Sequence, residues 1–303
     1  MRVAGTGVDP AESPVFSRQE RFGRVASTND VVRDWLAAGV PEVCLAIADE
    51  QTAGRGREGR RWLAPSGAAL LLSLGFRPTW LAPDRAWRLA ALASLAMAEA
   101  AEEVAVLPRG TIRLKWPNDL AAEDGGAADP RRGTVRKLAG VLGETDGLGS
   151  GDPRAVIGLG VNVGWPAGTF PPELAPAMTS LEELSGRRSI DRDALLDAFM
   201  THLTRTVPRL RDGRFEAADW AARQLTTGRD VRLEHPDGSH ETVSAVGVDP
   251  ETGGLIVAAG GGRPKRRILS GEIRHVRLGS VDTSAGTAES SADTSIATSA
   301  GRV

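Results

Sequence analysis

The apolar residues of this chain fall into short runs separated by polar, glycine-rich connections. Runs of this length that are bounded by turn residues are typical of buried β-strands. In the last of them (RAVIGLGVNV), Gly158 and Gly160 permit the close approach of backbone or ligand. The pattern predicts strands at residues 42–49, 68–76, 112–116, 137–144 and 154–163.

Other segments have the composition or spacing of helices. One long stretch, PDRAWRLAALASLAMAEAAEEV, is rich in alanine and leucine and contains no internal glycine or proline, which predicts a core helix. Ser27 or Thr28 can cap the first helix and Asp191 can cap a later one. With the strands, these helices predict a protein that contains both α and β structure. The predicted helices cover 28–38, 83–104, 179–185, 191–211 and 214–224.

The sequence pattern changes after Gly228, where short segments of alternating apolar and polar residues are joined by turn sequences such as HPDG and DPETGG. This pattern predicts a small antiparallel, barrel-like domain. The residues from Ser280 onwards are too polar to bury a core, and the first twenty residues are polar and contain proline. We therefore predict a flexible N terminus (1–20), a large domain (21–227), a small β domain (228–279) and a disordered tail (280–303).

Composition narrows the class of protein. The 303-residue chain has a formal net charge of −2, so the molecule as a whole is not a polyanion binder. Its single cysteine, Cys44, cannot form an internal disulfide and is expected to pack as a small apolar side chain. The first twenty residues lack an apolar signal, and no apolar run approaches the ~18 residues of a membrane span. We expect a cytoplasmic protein with no membrane contact.

One connection between predicted strands is strongly basic. Residues 50–62 read EQTAGRGREGRRW, which places four arginines among three glycines and ends in a tryptophan. Glycine allows close approach of the backbone to a ligand, and guanidinium groups present paired donors to phosphate or carboxylate oxygens. The segment predicts an anion site, although arginine runs are also found on solvated faces and in nonspecific nucleic-acid patches.

Lysine is scarce in this chain. Of 37 basic residues only Lys115, Lys137 and Lys265 are lysines, and the first two lie in the strings LKWPNDL and RKLAGVLGE. A compact ammonium can reach a single oxygen or enter a narrow pocket where a planar guanidinium cannot. We interpret Lys115 and Lys137 as functional, with chance placement on exposed strand ends as the alternative.

Five strings occur in a fixed order: STN (27–29), QTAGRGREGRRW (51–62), KWPND (115–119), KLAGVLGE (137–144) and GLGVN (158–162). In this order they resemble the catalytic core of biotin protein ligases, also called biotin–acetyl-CoA-carboxylase ligases. GRGRxGRxW and KWPND are the strings most specific to this family, and SGEIRHVRL near the C terminus is a weaker match to it. The resemblance implies an α+β fold in which a central mixed or antiparallel sheet is packed with helices. The family's small C-terminal domain is an SH3-like β-barrel, which is what 228–279 would then be.

The resemblance implies a reaction. Members of this family activate biotin with ATP to biotinyl-5′-AMP, release pyrophosphate, and transfer biotin to one lysine of a biotin carboxyl carrier protein domain of an acyl-CoA carboxylase. For this chain it implies biotin, ATP and Mg²⁺ as ligands, that carrier domain as partner, and a monomer or weak dimer. Some members carry an N-terminal DNA-binding domain; only 26 residues precede Ser27, so we expect no DNA binding and no repressor activity.

The resemblance also implies a set of biotin contacts. The loop would close over biotin and the adenylate phosphate, and Lys137 would meet the biotin carboxylate. The implied biotin-binding residues are Ser27, Thr28, Asn29, Gln51, Gly54, Arg55, Gly56, Arg57, Trp62 and Lys137.

The family pattern also implies a set of residues that contact ATP, with Trp62 near the adenine. Biotin's carboxylate and the α-phosphate of ATP repel each other, so their union requires neutralising charge. Arg57, Lys115 and Lys137 are of the right type, and with Asp119 they form the implied catalytic group. Asp119 has three candidate roles: orienting Lys115, binding Mg²⁺, or receiving the incoming lysine. The implied ATP-binding residues are Arg57, Arg60, Trp62, Lys115, Asn118 and Asn162.

Two segments carry further expectations. KWPND and KLAG are separated by AAEDGGAADPRRGTVR (121–136), a departure from the commonest family pattern that we interpret as a loop. The basic connection at 52–66 contains enough glycine to move, so we predict that it is open or disordered without ligand.

Two other functions fit parts of the sequence. A lipoate or octanoate ligase or transferase shares the core fold, but the expected RRxxGGG-type signature is missing. An RNA-binding module would explain the basic segment at 54–62 but neither KWPND nor KLAG. A Walker ATPase is disfavoured because no GxxxxGK[ST] string occurs.

Overall fold

A computed structural model describes residues 15–124, 134–258, 264–270 and 275–278. The expectations for 1–14 and 280–303 lie outside the described residues, as does the middle of the insertion at 125–133. The described part contains a seven-stranded sheet with packed helices and a separate five-stranded sheet, which confirms the predicted α+β class.

The large sheet has the strand order β1-β2-β3-β7-β6-β5-β4. Its β1 and β2 are parallel, and the other described pairs are antiparallel. Every residue of β3 is buried, as expected for an apolar run in the middle of a covered sheet. The strands are β1 Arg18–Val25, β2 Cys44–Gln51, β3 Ala69–Phe76, β4 Arg113–Lys115, β5 Asp119–Asp124, β6 Thr134–Asp146 and β7 Arg154–Asn162.

Two sequence-based predictions about irregular segments were wrong. Strand β1 begins at Arg18, inside the segment predicted as a flexible terminus, where Arg18 pairs with Cys44. An edge strand bonds on one side only and tolerates charged residues, so its polar sequence was misleading. The predicted loop at 121–136 is strand at both ends, because Ala121 and Ala122 are buried in β5 and β6 already starts at Thr134.

The predicted helices are confirmed with small shifts of their ends. Ser27 occupies the N-cap position of α1, although its side chain makes no capping hydrogen bond. Helix α2 starts at Trp87, after a single 3₁₀ turn at Pro83–Arg85. Asp191 caps α4 by accepting from the Asp193 N–H at 2.8 Å. The helices are α1 Thr28–Ala37, α2 Trp87–Val104, α3 Leu181–Leu184, α4 Arg192–Arg211 and α5 Ala217–Ala222.

The main core lies between α2, α4 and one face of the large sheet. The many alanines of α2 are buried there because small side chains let the helix approach its neighbours closely. One ion pair is buried with this core: Arg223 donates to both carboxylate oxygens of Glu102 at 3.0 Å. Cys44 is buried on the other side of the sheet, and burial raises the pKa of its thiol to about 11.

The small sheet packs against the large domain. It has the order β11-β10-β9-β8-β12 with antiparallel pairs, consistent with the SH3-like domain that the resemblance implies. Trp116 Nε1 donates to the Gly253 carbonyl at 2.9 Å, and a Cβ on Gly253 would lie 2.5 Å from the Trp87 ring. Its strands are β8 Arg229–Glu234, β9 His240–Val248, β10 Leu255–Ala258, β11 Arg266–Ile268 and β12 His275–Leu278. Among the helices described, none is both long and apolar enough to cross a bilayer.

Candidate active site

Three glycines form a trough on the sheet between β6 and β7. Gly140 of β6 pairs with Gly160 of β7, and Gly158 lies two residues earlier on β7, so it faces the same side as Gly160. A Cβ on Gly160 would lie 2.4 Å from Trp62 Cε2, and one on Gly140 would lie 3.0 Å from Trp62 Cζ3. The indole of Trp62 therefore rests directly on the backbone of both strands, which only glycine permits.

Two of the chain's three lysines converge on one carboxylate beside this trough. Lys137 Nζ lies 2.6 Å from Asp119 Oδ1, and Lys115 Nζ lies 3.7 Å from Asp119 Oδ2. Burial lowers the pKa of Lys115, and the charge of Asp119 opposes that shift. Lys137 Nζ also lies 5.4 Å from the centre of the Trp62 ring, within cation–π range. The arrangement places two cations and one anion at one end of the trough.

Uncharged polar groups line the opposite end, at the start of α1. Thr28 and Asn29 are 2% and 4% exposed, and Ser73 of β3 is fully buried. The Thr28 N–H donates to Gln51 Oε1 at 2.8 Å, while Ser73 Oγ lies 2.7 Å from Thr28 Oγ1 and 2.6 Å from Asn29 Oδ1. A Cβ on Gly158 would lie 2.2 Å from Asn29 Oδ1, so glycine is required there too. These groups form a compact hydrogen-bonding cluster around Gly158.

An ion-pair network holds this polar end in place. Arg55 donates to both carboxylate oxygens of Asp30 at 2.8 Å and lies 3.4 Å from Glu144 Oε2. Arg33 donates to the same two carboxylates, at 2.6 Å to Asp30 and 2.8 Å to Glu144. The bond from Arg55 lowers the pKa of Asp30. Arg55 thus ties the basic loop to the first turn of α1.

The basic loop at 52–66 is folded against the sheet. A Cβ on Gly54 would lie 2.6 Å from the Trp62 carbonyl oxygen, so only glycine fits, and the Trp62 N–H donates to the Gly54 carbonyl at 2.9 Å. Arg57 Nη2 donates to the backbone carbonyl of Ser270 in the small domain at 2.5 Å. Burial lowers the pKa of Arg57, whereas the side of the loop at Arg60 is exposed to solvent. The predicted opening of this loop stays a prediction.

Of the two asparagines predicted to bind ATP, Asn118 directly precedes β5 and Asn162 ends β7. Asn118 Nδ2 donates to the Val141 carbonyl of β6 at 2.8 Å. Asn162, at the end of β7, is fully buried, and its Nδ2 donates to the Thr179 carbonyl at 3.0 Å. Asn162 Oδ1 and Trp62 Nε1 are buried and have no hydrogen-bond partner among the described residues. Buried polar atoms of this kind are costly unless a partner satisfies them.

Comparisons with known proteins identify the family of this chain. Residues 22–162 match the model of the Biotin/lipoate A/B protein ligase family. The chain is 34% identical to the biotin--[acetyl-CoA-carboxylase] ligase of Mycobacterium tuberculosis over 260 residues, which cover 84% of this chain and 88% of that protein. The chain belongs to the biotin protein ligase family.

Two further relatives support the assignment to the biotin protein ligase family. The biotin--[acetyl-CoA-carboxylase] ligase of Paracoccus denitrificans is 30% identical over 232 residues, covering 75% of this chain and 89% of that protein. The solved biotin protein ligase from Aquifex aeolicus, in complex with biotin and ATP, has a TM-score of 0.69 and 27% identity. That match covers 87% of this chain and all of the Aquifex chain.

Within this biotin protein ligase fold, the structure brings part of the predicted set together around the trough and adds other residues. The residues brought together are Thr28, Asn29, Gln51, Trp62, Lys115, Asp119 and Lys137. Glu144 was part of the string KLAGVLGE, and Asp30 directly follows STN, so proximity to the motifs could have indicated both. Ser73 is the polar residue of the run LLLSLGF, a signal that was available. Ser270 contributes only its backbone carbonyl, which no sequence signal reveals.

Proposed function

We propose that this chain is an ATP-dependent, AMP-forming biotin–[acetyl-CoA-carboxylase] ligase. The biotin carboxylate attacks the α-phosphate of ATP, pyrophosphate leaves, and biotinyl-5′-AMP forms. The amine of an acceptor lysine then attacks the acyl carbon, and AMP leaves. The observation that carries the proposal is the convergence of Lys137, Lys115 and Asp119 beside Trp62. It occurs in a chain 34% identical to a biotin--[acetyl-CoA-carboxylase] ligase.

The lysines neutralise charge in the first step. Lys137 is placed between Trp62 and Asp119, where its ammonium can meet the carboxylate and the bridging phosphate oxygen. Lys115 is the more buried of the two lysines, and an ammonium in a site of low polarity interacts more strongly with a phosphate than it does in water. Arg57 supplies a third cation from the loop. We assign Lys137, Lys115, Arg57 and Asp119 to catalysis.

The neutral end of the trough suits the ureido ring of biotin, which carries N–H donors and a carbonyl acceptor. We assign biotin binding to this end, to the loop that covers it and to Lys137, and ATP binding to the end near the lysines. The biotin-binding residues are Ser27, Thr28, Asn29, Gln51, Gly54, Arg55, Gly56, Arg57, Trp62 and Lys137; the ATP-binding residues are Arg57, Arg60, Trp62, Lys115, Asn118 and Asn162.

Magnesium enters this proposal as part of the substrate MgATP. No group of three His, Cys, Asp or Glu side chains in the described ranges could hold a metal, and Asp119 is already paired with two lysines. A donor set of this kind fits Mg²⁺ held chiefly by phosphate oxygens and water. The pairing favours the role in which Asp119 orients Lys115 and Lys137, and its role as a metal ligand stays a prediction.

The second step requires a neutral amine, because only the neutral form has an electron pair with which to attack. A free lysine has a pKa of about 10.4 and must therefore lose a proton first. We propose the biotin carboxyl carrier protein domain of an acyl-CoA carboxylase as the acceptor, and the role of Asp119 in receiving the incoming lysine stays a prediction. The catalytic domain then comprises residues up to 227, with β1 included from Arg18, and the SH3-like domain 228–279 packs beside it. A monomer or weak dimer stays our expectation for the assembly.

Pyrophosphate release tests the proposal directly. Purified protein with ATP and Mg²⁺ should release pyrophosphate with biotin and not with lipoate. Lys137→Ala should abolish release, whereas Lys265→Ala, which removes an exposed lysine of the small domain, should retain it. Release with lipoate would identify the lipoate ligase instead, and RNA binding without release under either condition would favour the RNA-binding module.

A further inference from the structure

Glu144 lies outside the substrate contacts assigned above, yet its carboxylate reaches the biotin end of the trough through Asn29. Asn29 Nδ2 donates to Glu144 Oε2 at 2.7 Å. Arg33 and Arg55 flank the same oxygen at 2.8 and 3.4 Å and fix the position of the carboxylate. An ionised carboxylate only accepts hydrogen bonds, so Asn29 must turn its NH₂ group towards Glu144 and its oxygen away.

The orientation of Asn29 determines where the Ser73 hydrogen goes. Ser73 Oγ lies 2.6 Å from Asn29 Oδ1 and 2.7 Å from Thr28 Oγ1. A hydroxyl has one hydrogen, and a carbonyl oxygen has none, so Ser73 must donate to Asn29. The contact between Ser73 and Thr28 then requires Thr28 to donate. These three residues are at most 4% exposed, so the hydrogen bonds among them are shielded from bulk water.

An alternative partner for the Thr28 hydrogen exists, because Thr28 Oγ1 lies 3.1 Å from Gln51 Oε1. If Thr28 donated there, Ser73 and Thr28 oxygens would face each other at 2.7 Å with no hydrogen between them. Gln51 Oε1 keeps its bond from the Thr28 N–H at 2.8 Å in either case, whereas each of the two short contacts of Ser73 needs a hydrogen of its own. The Thr28 hydroxyl therefore gives its hydrogen to Ser73 and keeps a free lone pair.

We propose that Glu144 is a positioning residue that sets the Thr28 hydroxyl as an acceptor for a ureido N–H of biotin. The inference rests on the proposed function. Its path runs from Glu144 through Asn29 and Ser73 to Thr28, and Glu144 itself does not touch the substrate. The position of Asn29 in this relay also explains why residue 158 is glycine, since a Cβ there would lie 2.2 Å from Asn29 Oδ1.

A swap of the two functional groups tests the relay. Asn29→Asp places a carboxylate against Glu144, and the repulsion disrupts the relay. Glu144→Gln can either donate or accept, so the direction is no longer enforced. In the double variant Asn29→Asp/Glu144→Gln, the new amide donates to the new carboxylate, whose second oxygen still accepts from Ser73. Arg33 and Arg55 retain Asp30 as their carboxylate partner. The swap thus restores the original direction at Thr28 with the same total charge.

The readouts are KM for biotin, KM for ATP and kcat in pyrophosphate release, with biotin affinity measured by calorimetry. We expect KM and Kd for biotin to rise about ten- to hundred-fold in Asn29→Asp, the range for an unsatisfied buried polar group. Glu144→Gln should show a smaller rise, and the double variant should recover at least half of the loss on a logarithmic scale. KM for ATP should change little in all three.

Glu241→Gln is the matched control, because Glu241 is similarly exposed (34% against 30%) and is likewise paired with an arginine. It should behave as wild type. Thermal unfolding checks that each variant is folded; a double variant that unfolds, or that binds biotin no better than Asn29→Asp, overturns the inference. A wild type that releases no pyrophosphate with biotin overturns the proposed function and the inference with it, whereas an active wild type without rescue overturns the inference alone.

Discussion

Substituting Gly160 by alanine tests whether the strand must lack a side chain where the indole of Trp62 rests on it. The new Cβ would lie 2.4, 2.6 and 2.7 Å from Cε2, Nε1 and Cζ2 of Trp62. Carbon atoms in contact are about 3.5–4.0 Å apart, so the indole must move by about 1 Å. Overpacking of this kind costs about 1–3 kcal/mol, and a cost borne on binding corresponds to a roughly 5- to 150-fold increase in KM for biotin.

The assay is biotin-dependent pyrophosphate release by Gly160→Ala, with urea unfolding to confirm that the variant is folded. Two further alanine variants calibrate the result. Gly140→Ala should have a smaller effect, because its Cβ would lie 3.0 Å from Trp62 and 3.2 Å from Lys137 Nζ. Gly143→Ala should have none, because its nearest neighbour, Ile157 Cδ1, is at an ordinary 3.5 Å. Equal biotin KM values for Gly160→Ala and Gly143→Ala would refute the reasoning.

Three further predictions concern buried ionisable groups. The lowered pKa of Lys115 means that its ammonium binds a proton less tightly in the folded protein than in the unfolded chain. The charge on Lys115 therefore destabilises the fold at any pH below the folded pKa. This destabilisation decreases as the pH rises from the folded pKa towards the unfolded value of about 10.4. Lys115→Met should therefore raise the thermal midpoint at pH 7 and abolish pyrophosphate release; a lower midpoint would contradict this. Cys44, whose pKa is raised to about 11, should resist a thiol reagent at pH 8 in the native protein and react in urea. Glu102→Gln should lower the free energy of unfolding by about 3–5 kcal/mol because it leaves Arg223 unpaired in the core, whereas Asp212→Asn, in an exposed pair, should lower it by at most about 1 kcal/mol in the same urea titration.

The elements predicted best from the sequence were those with one dominant physical signal. The apolar run 68–76 became a fully buried β3, and the alanine-rich stretch became α2 against the core. The failures at β1 and β5 share a cause. A charged edge strand and a strand next to an insertion are stabilised by backbone pairing with distant residues, as Arg18 with Cys44 and Ala121 with Lys137, and local composition does not report that pairing.

The residues of the site also differ in whether local sequence or distant neighbours determine their place. Motif strings identified the residues expected to touch substrates, because those residue types are dictated by the chemistry of carboxylate and phosphate. The supporting residues depend on three-dimensional neighbours: Glu144 meets Asn29 across 115 positions of sequence, and Ser73 meets Thr28 across 45. The motif strings draw attention to Glu144, but nothing in the spacing of the chain indicates that this carboxylate of β6 meets an amide of α1, so the contact becomes visible only in the fold.

The order of groups along the trough separates the two tasks that the proposed chemistry requires, recognition of the ureido ring and neutralisation of charge. Gly158 and Gly160 are two residues apart on β7, about 7 Å along the strand, and the first touches Asn29 whereas the second touches Trp62. Gly140 then pairs with Gly160 and leads to Lys137. A substrate lying along this path meets neutral hydrogen-bonding groups, an aromatic ring and finally cations, in that sequence. Biotin has the complementary sequence of an uncharged ureido ring, an apolar body and a carboxylate. Because Trp62 lies between the two lysines and the uncharged cluster, the proposed charge neutralisation by Lys115 and Lys137 would act on the reacting carboxylate without competing for the hydrogen bonds proposed to select the ring.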